Sequence, residues 1–119
     1  MIKKVKPVLP SLREKKRYLA FEIISKSRIK AFSDVSRAIM ASVLSFLGET
    51  GAAKAGIMLI NDMYNQEKQK GIMKVSNKSV NDAKSALTLI REIEGQPVIV
   101  RSIGTSGILK KAHSKYLTG

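Results

Sequence analysis

The side chains in this 119-residue sequence that could do chemistry are mostly cationic: 22 Lys and Arg stand against 9 Asp and Glu, a formal charge of +13, with one His and no Cys. That set suits the binding of a polyanion. Each Lys or Arg that neutralises a phosphate releases condensed counterions, so a folded domain this basic binds nucleic acid by default at moderate salt. The charge is also concentrated, because residues 1 to 30 hold ten basic and two acidic side chains whereas residues 31 to 60 hold two of each. Further centres are Lys68 to Lys78 and the tail with Arg101, Lys110, Lys111 and Lys115. An anionic membrane surface is a weaker target, since the basic arm lacks the aromatic and leucine face of an interfacial helix.

A catalytic constellation is not legible. Without Cys there is no thiol catalysis, disulfide or Cys-ligated zinc. His113 stands alone, so neither a His pair for a metal nor a Ser-His-Asp relay can be built. Glu92 and Glu94, two apart at the end of an expected helix, point to different sides of it, and GETGAAKAG has glycines but no GK[ST]. Two features suit RNA. Tyr18 could stack a base, or pack at a sheet edge with its hydroxyl in water; KGIMKVSN at 70 to 77 starts like an RNA-recognition strand but carries no aromatic residue. GTSG at 104 to 107 has the spacing of a backbone-clamping GxxG loop, with Ser106 placed to cap the next helix and Lys110 and Lys111 one turn on. It reads equally as a plain glycine-rich turn.

The elements that must position these residues follow from hydrophobic periodicity. Pro7 and Pro10 make residues 1–12 an extended basic arm before a single domain at 13–119. RYLAFEII at 17 to 24 reads as a strand. From Ser33, an expected N-cap with Asp34 in the first turn, Val35, Ile39, Val43, Phe46 and Leu47 recur at helical spacing until Gly48 stops the helix, and GETG is a turn. KAGIMLIN at 54 to 61 and IMKVS at 72 to 76 form an expected hairpin. A second helix begins near Asn77 or Ser79, with Ser79 and Asp82 spaced like a capping box, carries Val80, Ala83, Leu87 and Ile90 on one stripe, and ends at Gly95. PVIVRSI at 97 to 103 is the fourth strand and residues 107 to 117 a last helix.

That order, β-α-β-β-α-β, is the α+β, ferredoxin-like or RRM-like sandwich with an added C-terminal helix. With Leu19, Phe21, Ile23, Met58, Ile60, Met73, Val75, Val98 and Val100 facing the two main helices, Ile57, Leu59, Ile72, Ile99 and Ile103 are left on the other face. Exposing that much apolar surface is unfavourable, at about 25 cal/mol per Å². The last helix, with Ile108, Leu109, Ala112 and Tyr116 on one side, is therefore expected to cross the open face, unless a protein partner covers it. The longest apolar runs, GIMLI and VIV, are far short of the roughly 20 residues of a membrane span, and the basic opening lacks an apolar signal region, so a cytoplasmic location is expected.

LPSLREKKRYLAFEIIS at 9 to 25, LGETG at 47 to 51 and VIVRSIGTSGILKKA at 98 to 112 resemble, in this order, the archaeal and eukaryotic ribonuclease P protein component 2 family. The resemblance implies an RRM-like subunit that does not cut RNA itself: the RNA subunit holds the catalytic magnesium ions, and the protein binds and stabilises the RNA's catalytic domain for 5′ maturation of precursor tRNA. Its implied partners are ribonuclease P RNA and protein component 3, in a heterodimer or a dimer of heterodimers. Carried onto this chain, the expected RNA contacts are Arg13, Lys15, Lys16, Arg17 and Tyr18, then Arg101, Ser106, Gly107, Lys110 and Lys111. Gly48, Glu49, Thr50 and Gly51 form the turn expected to serve protein association, or simply to stop the helix. Ile108 stands where the family's SGT segment has a hydroxyl, and KSRIKAF at 26 to 32 is more basic than in relatives. Other readings stay open: a small enzyme or nucleotide-binding regulator on the ferredoxin-like fold, a protein-interaction module with incidental charge, and a different basic RNA-binding ferredoxin-like domain.

Overall fold

A computed structural model describes residues 15–29 and 31–117, so the arm at 1–12 and Arg13 lie outside the described residues. Three long strands are built from the β-branched and aromatic runs: β1 (Lys16–Ser25), β3 (Lys70–Ser76) and β5 (Gln96–Ser106). Short strands β2 (Met58–Leu59) and β4 (Glu92–Ile93) complete a five-stranded antiparallel sheet in the order β2-β3-β1-β5-β4. Helices α1 (Phe32–Ala55) and α2 (Val80–Thr88) pack on one face. The expected β-α-β-β-α-β sandwich is present, with β4 inserted as an additional edge strand. No helix of the described residues is long and apolar enough to cross a membrane.

Several local expectations are corrected. Helix α1 starts one residue before Ser33, with Ala31 as an N-cap that makes no side-chain bond, while Asp34 does sit in the first turn. Gly48 kinks the helix instead of ending it: it takes φ 75° and ψ 174°, a region open to glycine at little cost, after which the helix resumes to Ala55. The true stop is Gly56, left-handed at φ 56°, whose N–H donates to the Ala52 carbonyl at 3.2 Å. Phe46 is exposed, while Leu47 packs against the core as expected. The Ser79–Asp82 capping box does not form, because a 3₁₀ turn over Asn77–Ser79 feeds α2 and Ser79 makes no cap bond. Helix α2 stops at Thr88, so Glu92 and Glu94 belong to no helix. Glu94 (φ 51°) and Gly95 (φ 79°) are the two central residues of the β4–β5 hairpin, the double positive φ of a type I′ turn.

The helix-facing core contains Leu19, Phe21, Ile23, Met73, Val75, Val98 and Val100 under Val35, Ile39, Val43, Ala83 and Leu87. Strand β2 has the opposite phase to that expected. Leu59 pairs with Met73 and packs on the helix side, Met58 is 57% exposed, and Ile60 joins the opposite face. An uninterrupted GIMLI has no alternation to set its phase, and a slip of one residue reverses every side chain.

A second cluster on the far face holds Ala20, Ile72, Ala112 and Leu117, with Tyr18, Ile60, Ile103, Leu109 and Tyr116 around it. It is roofed by α3 (Leu109–Ala112) and the π-helical turn His113–Leu117 that continues it. The expected cover is therefore real but partial. Ile108 is exposed, and Ile24 and Ile99, paired across β1 and β5, remain 44% and 61% exposed beyond its reach. Gln69, buried at φ 52°, ties this same end of the sheet together. Its Oε1 accepts from the Ile29 N–H at 2.6 Å, and its Nε2 donates to the Ile23 carbonyl (3.1 Å) and Ser25 Oγ (3.0 Å).

Candidate nucleic-acid interface

Antiparallel pairing gathers the basic segments at one end of the sheet. The register Lys16↔Ser76 and Tyr18↔Ser106 places the start of β1 between the ends of β3 and β5. Lys15 just before β1, Lys16 and Arg17 at its start, Lys78 in the turn after β3, and Lys110 and Lys111 after β5 all lie there. Lys110, Lys111 and Lys115 line a groove of about 550 Å³ with Ile108 and Ser114. Lys74 lies opposite Tyr18 on β3. The ion pairs among the described residues lie elsewhere: Arg37 pairs with Asp34 (3.4 Å) and Glu94 (4.0 Å), and Arg101 with Glu22 (2.8 Å). Among the described residues, none of the cations at this end has a carboxylate partner. Such a group holds its charge available for counterion release on phosphate contact.

Two hydrogen bonds build the centre of this surface. The Asn77 N–H donates to the Lys15 carbonyl at 2.7 Å, and the Nε–H of Arg17 donates to Asn77 Oδ1 at 2.8 Å. On the other flank, a Cβ at Gly107 would stand 3.3 Å from Nη1 of Arg17, so Arg17 lies between the turn after β3 and the turn after β5. Lys16 points its Nζ toward Gly56, at 3.1 Å from where a Cβ there would be.

The remaining expected contacts are placed differently. Tyr18 is half-buried against the second cluster on a central strand, with α3 and its following turn over that face. GTSG is not a loop: Gly104, Thr105 and Ser106 pair with Ala20, Leu19 and Tyr18, and Gly104 lies directly beneath Tyr116. Ser106 Oγ accepts from the Ile108 N–H and donates to its carbonyl, both at 3.1 Å, so it closes a local turn while Ile108 is the helix N-cap. Arg101 stands away from the basic end, five residues back along β5, with Nε and Nη2 both on the Glu22 carboxylate. Gly48, Glu49 and Thr50 are exposed at the kink of α1, and Gly51 is tucked against Leu47. Asn77 and Lys78 were not expected as site residues. Lys78 belongs to a charge centre visible in the sequence, but Asn77, 60 residues from Arg17, gives no signal in any local pattern.

A second cleft, of about 600 Å³ and also bordered by the C-terminal turn, is lined by Arg28, Asp62, Asn65, Glu67 and His113 among others, mixing both signs of charge. Tyr64 borders it, with its hydroxyl buried and without a partner among the described residues, and its ring against Phe32, centroids 5.0 Å apart. Burial pushes that phenol above its ordinary value.

The profile of the Rpp14/Pop5 family matches residues 17–117, the whole span from the start of the sheet to the end of the C-terminal turn. The chain belongs to the Rpp14/Pop5 family. Among relatives, ribonuclease P protein component 2 of Thermococcus gammatolerans is 39% identical, covering 98% of this chain and 95% of that one. The proteins of the same name from Pyrococcus furiosus (36%; 99% and 96% covered) and Methanocaldococcus jannaschii (36%; 98% and 84%) are similar throughout. In structure, this Rpp14/Pop5 chain superposes on one chain of the cryo-EM structure of yeast ribonuclease MRP with a TM-score of 0.60 at 12% identity, covering 88% of this chain and 87% of that one. At that identity the likeness is one of fold.

Proposed function

We propose that this chain is a non-catalytic protein subunit of ribonuclease P that binds and stabilises the catalytic domain of the RNA subunit during 5′ maturation of precursor tRNA. The observation that carries the reading is the convergence, in a member of this family, of Lys15, Lys16, Arg17, Lys78, Lys110 and Lys111 at one sheet end. A surface of this kind grips a phosphate backbone by charge and shape, with little base specificity. In this reading the catalytic magnesium ions belong to the RNA, and the protein's part is to hold the RNA's fold.

Protein component 3 is the partner this reading assigns, in a heterodimer or a dimer of heterodimers, in the cytoplasm. Support for a protein contact near the kink comes from Met40 and Leu44, four residues apart and exposed on one side of α1 before Gly48–Gly51. Apolar side chains grouped on an exposed helix favour a protein neighbour over water.

Charge reversal tests the RNA-binding part. The triple variant Lys15→Glu, Lys16→Glu, Arg17→Glu is expected to weaken binding of the cognate ribonuclease P RNA by at least about a hundredfold and to flatten the salt dependence together. Unchanged affinity and slope in a folded variant would leave a protein-interaction module whose charge is incidental.

A further inference from the structure

Two arginines of this protein each place Nε on a side-chain oxygen, a carboxylate in one case and a neutral amide in the other. Arg101 places Nε and Nη2 on the Glu22 carboxylate, so its charge is cancelled where it sits. Arg17 places Nε on the amide oxygen of Asn77, which fixes the guanidinium and leaves its charge intact. Asn77 is itself fixed, because its backbone N–H donates to the Lys15 carbonyl at 2.7 Å and it opens the 3₁₀ turn that follows β3. On the opposite flank Gly107 leaves room beside Nη1 that a Cβ would narrow to 3.3 Å.

From this we infer that Asn77 is a positioning residue: it holds Arg17 charged and end-on, with the Nη1 and Nη2 edge presented to one backbone phosphate of RNA, and Gly107 keeps that edge clear. The inference rests on the RNA-binding reading above and adds to it which residue sets the contact and what the contact reads. A guanidinium offers five N–H donors in a rigid fork. With Nε committed to the amide, the terminal pair remains, and it matches two oxygens of a phosphate. A phosphate is favoured over a base edge because side chains cannot read the deep, narrow major groove of an RNA helix. Arg17 is preorganised, so less side-chain entropy is lost on binding than for the lysines around it.

The test is a double-mutant cycle on the full chain, with the cognate ribonuclease P RNA as probe and binding followed by filter retention over a range of KCl concentrations. Arg17→Gln should weaken binding about tenfold and lower the slope of log affinity against log salt by about one. Asn77→Ala keeps the backbone bond to Lys15, so the thermal midpoint should stay near that of the wild type while RNA affinity falls several-fold. In the Arg17→Gln background, Asn77→Ala should cost nothing further. Gly107→Ala provides an independent arm: it changes no charge and should weaken binding only when Arg17 is present. Asn77→Ala binding like the wild type, or costing the same with and without Arg17, would overturn the inference while leaving the RNA-binding reading in place. A wild-type chain that does not bind this RNA overturns both.

Discussion

Substituting Gly104 by alanine adds one methyl group beneath the C-terminal turn. Gly104 pairs with Ala20 in the middle of the sheet, and its φ is not in the left-handed region, so the backbone accepts alanine. By itself, replacing glycine inside a strand should stabilise by about 0.5–1 kcal/mol. The new Cβ, however, would run into the ring and hydroxyl of Tyr116, whose Oη also donates to the Thr105 carbonyl at 3.4 Å. Overpacking costs about 1–3 kcal/mol. If the ring swings away, the neighbouring Leu117, 1% exposed, loses part of its cover as well. The net loss should be about 2 kcal/mol, near 8 °C in thermal midpoint for a chain of this size. The diagnostic is the cycle with Tyr116→Ala, read by urea denaturation. Once the ring is gone the methyl group has room, so Gly104→Ala should be neutral or slightly stabilising in that background, a coupling of about 2 kcal/mol. Because α3 carries Lys110 and Lys111, Gly104→Ala should also weaken RNA binding without altering any charge. Equal losses in the two backgrounds would refute the packing argument.

Two further substitutions probe buried polar groups. Tyr64→Phe removes a buried hydroxyl that has no partner among the described residues and should raise stability by about 1 kcal/mol in urea at neutral pH. Since the folded-state phenol titrates above the unfolded value of 10.0, its contribution is complete below pH 10 and lost as the pH rises through the folded value. The wild type should therefore weaken faster than Tyr64→Phe above pH 10. Gln69→Leu leaves the Ile29 N–H and the Ile23 carbonyl without their side-chain partner and should cost about 3 kcal/mol, measured as a fall in urea midpoint with the m-value unchanged.

Much of the fold was legible because the long elements have unambiguous periods. The alternation around Leu19, Phe21 and Ile23, the i, i+4 series Val35, Ile39 and Val43, and the stripe Ala83, Leu87 and Ile90 all bury as their spacing requires. Misreadings fall where local pattern is silent. GIMLI could not announce the phase of β2, and the Glu94–Gly95 turn carries a positive φ at a residue with no special sign of it. At Gly48 the stop signal is genuine, but good helix formers after it let the helix resume to Ala55. The basic segments were visible as charge runs, and the β-α-β-β-α-β order implied that the start of the first strand meets the ends of the third and fourth. What the sequence could not show is the division between Arg17 and Arg101. Whether an arginine's charge is free or cancelled depends on a cross-strand neighbour, Asn77 in one case and Glu22 in the other, 60 and 79 residues away.

The central claim, that this chain works by supporting a catalytic RNA, is tested most directly by reconstitution. Cleavage of a precursor tRNA by the cognate ribonuclease P RNA would be followed at low magnesium, with this protein and protein component 3 added separately and together. The account predicts cleavage that appears only when both proteins are present and that is lost with the Lys15→Glu, Lys16→Glu, Arg17→Glu variant. Cleavage that is the same with and without this protein, while the protein still binds the RNA, would contradict it.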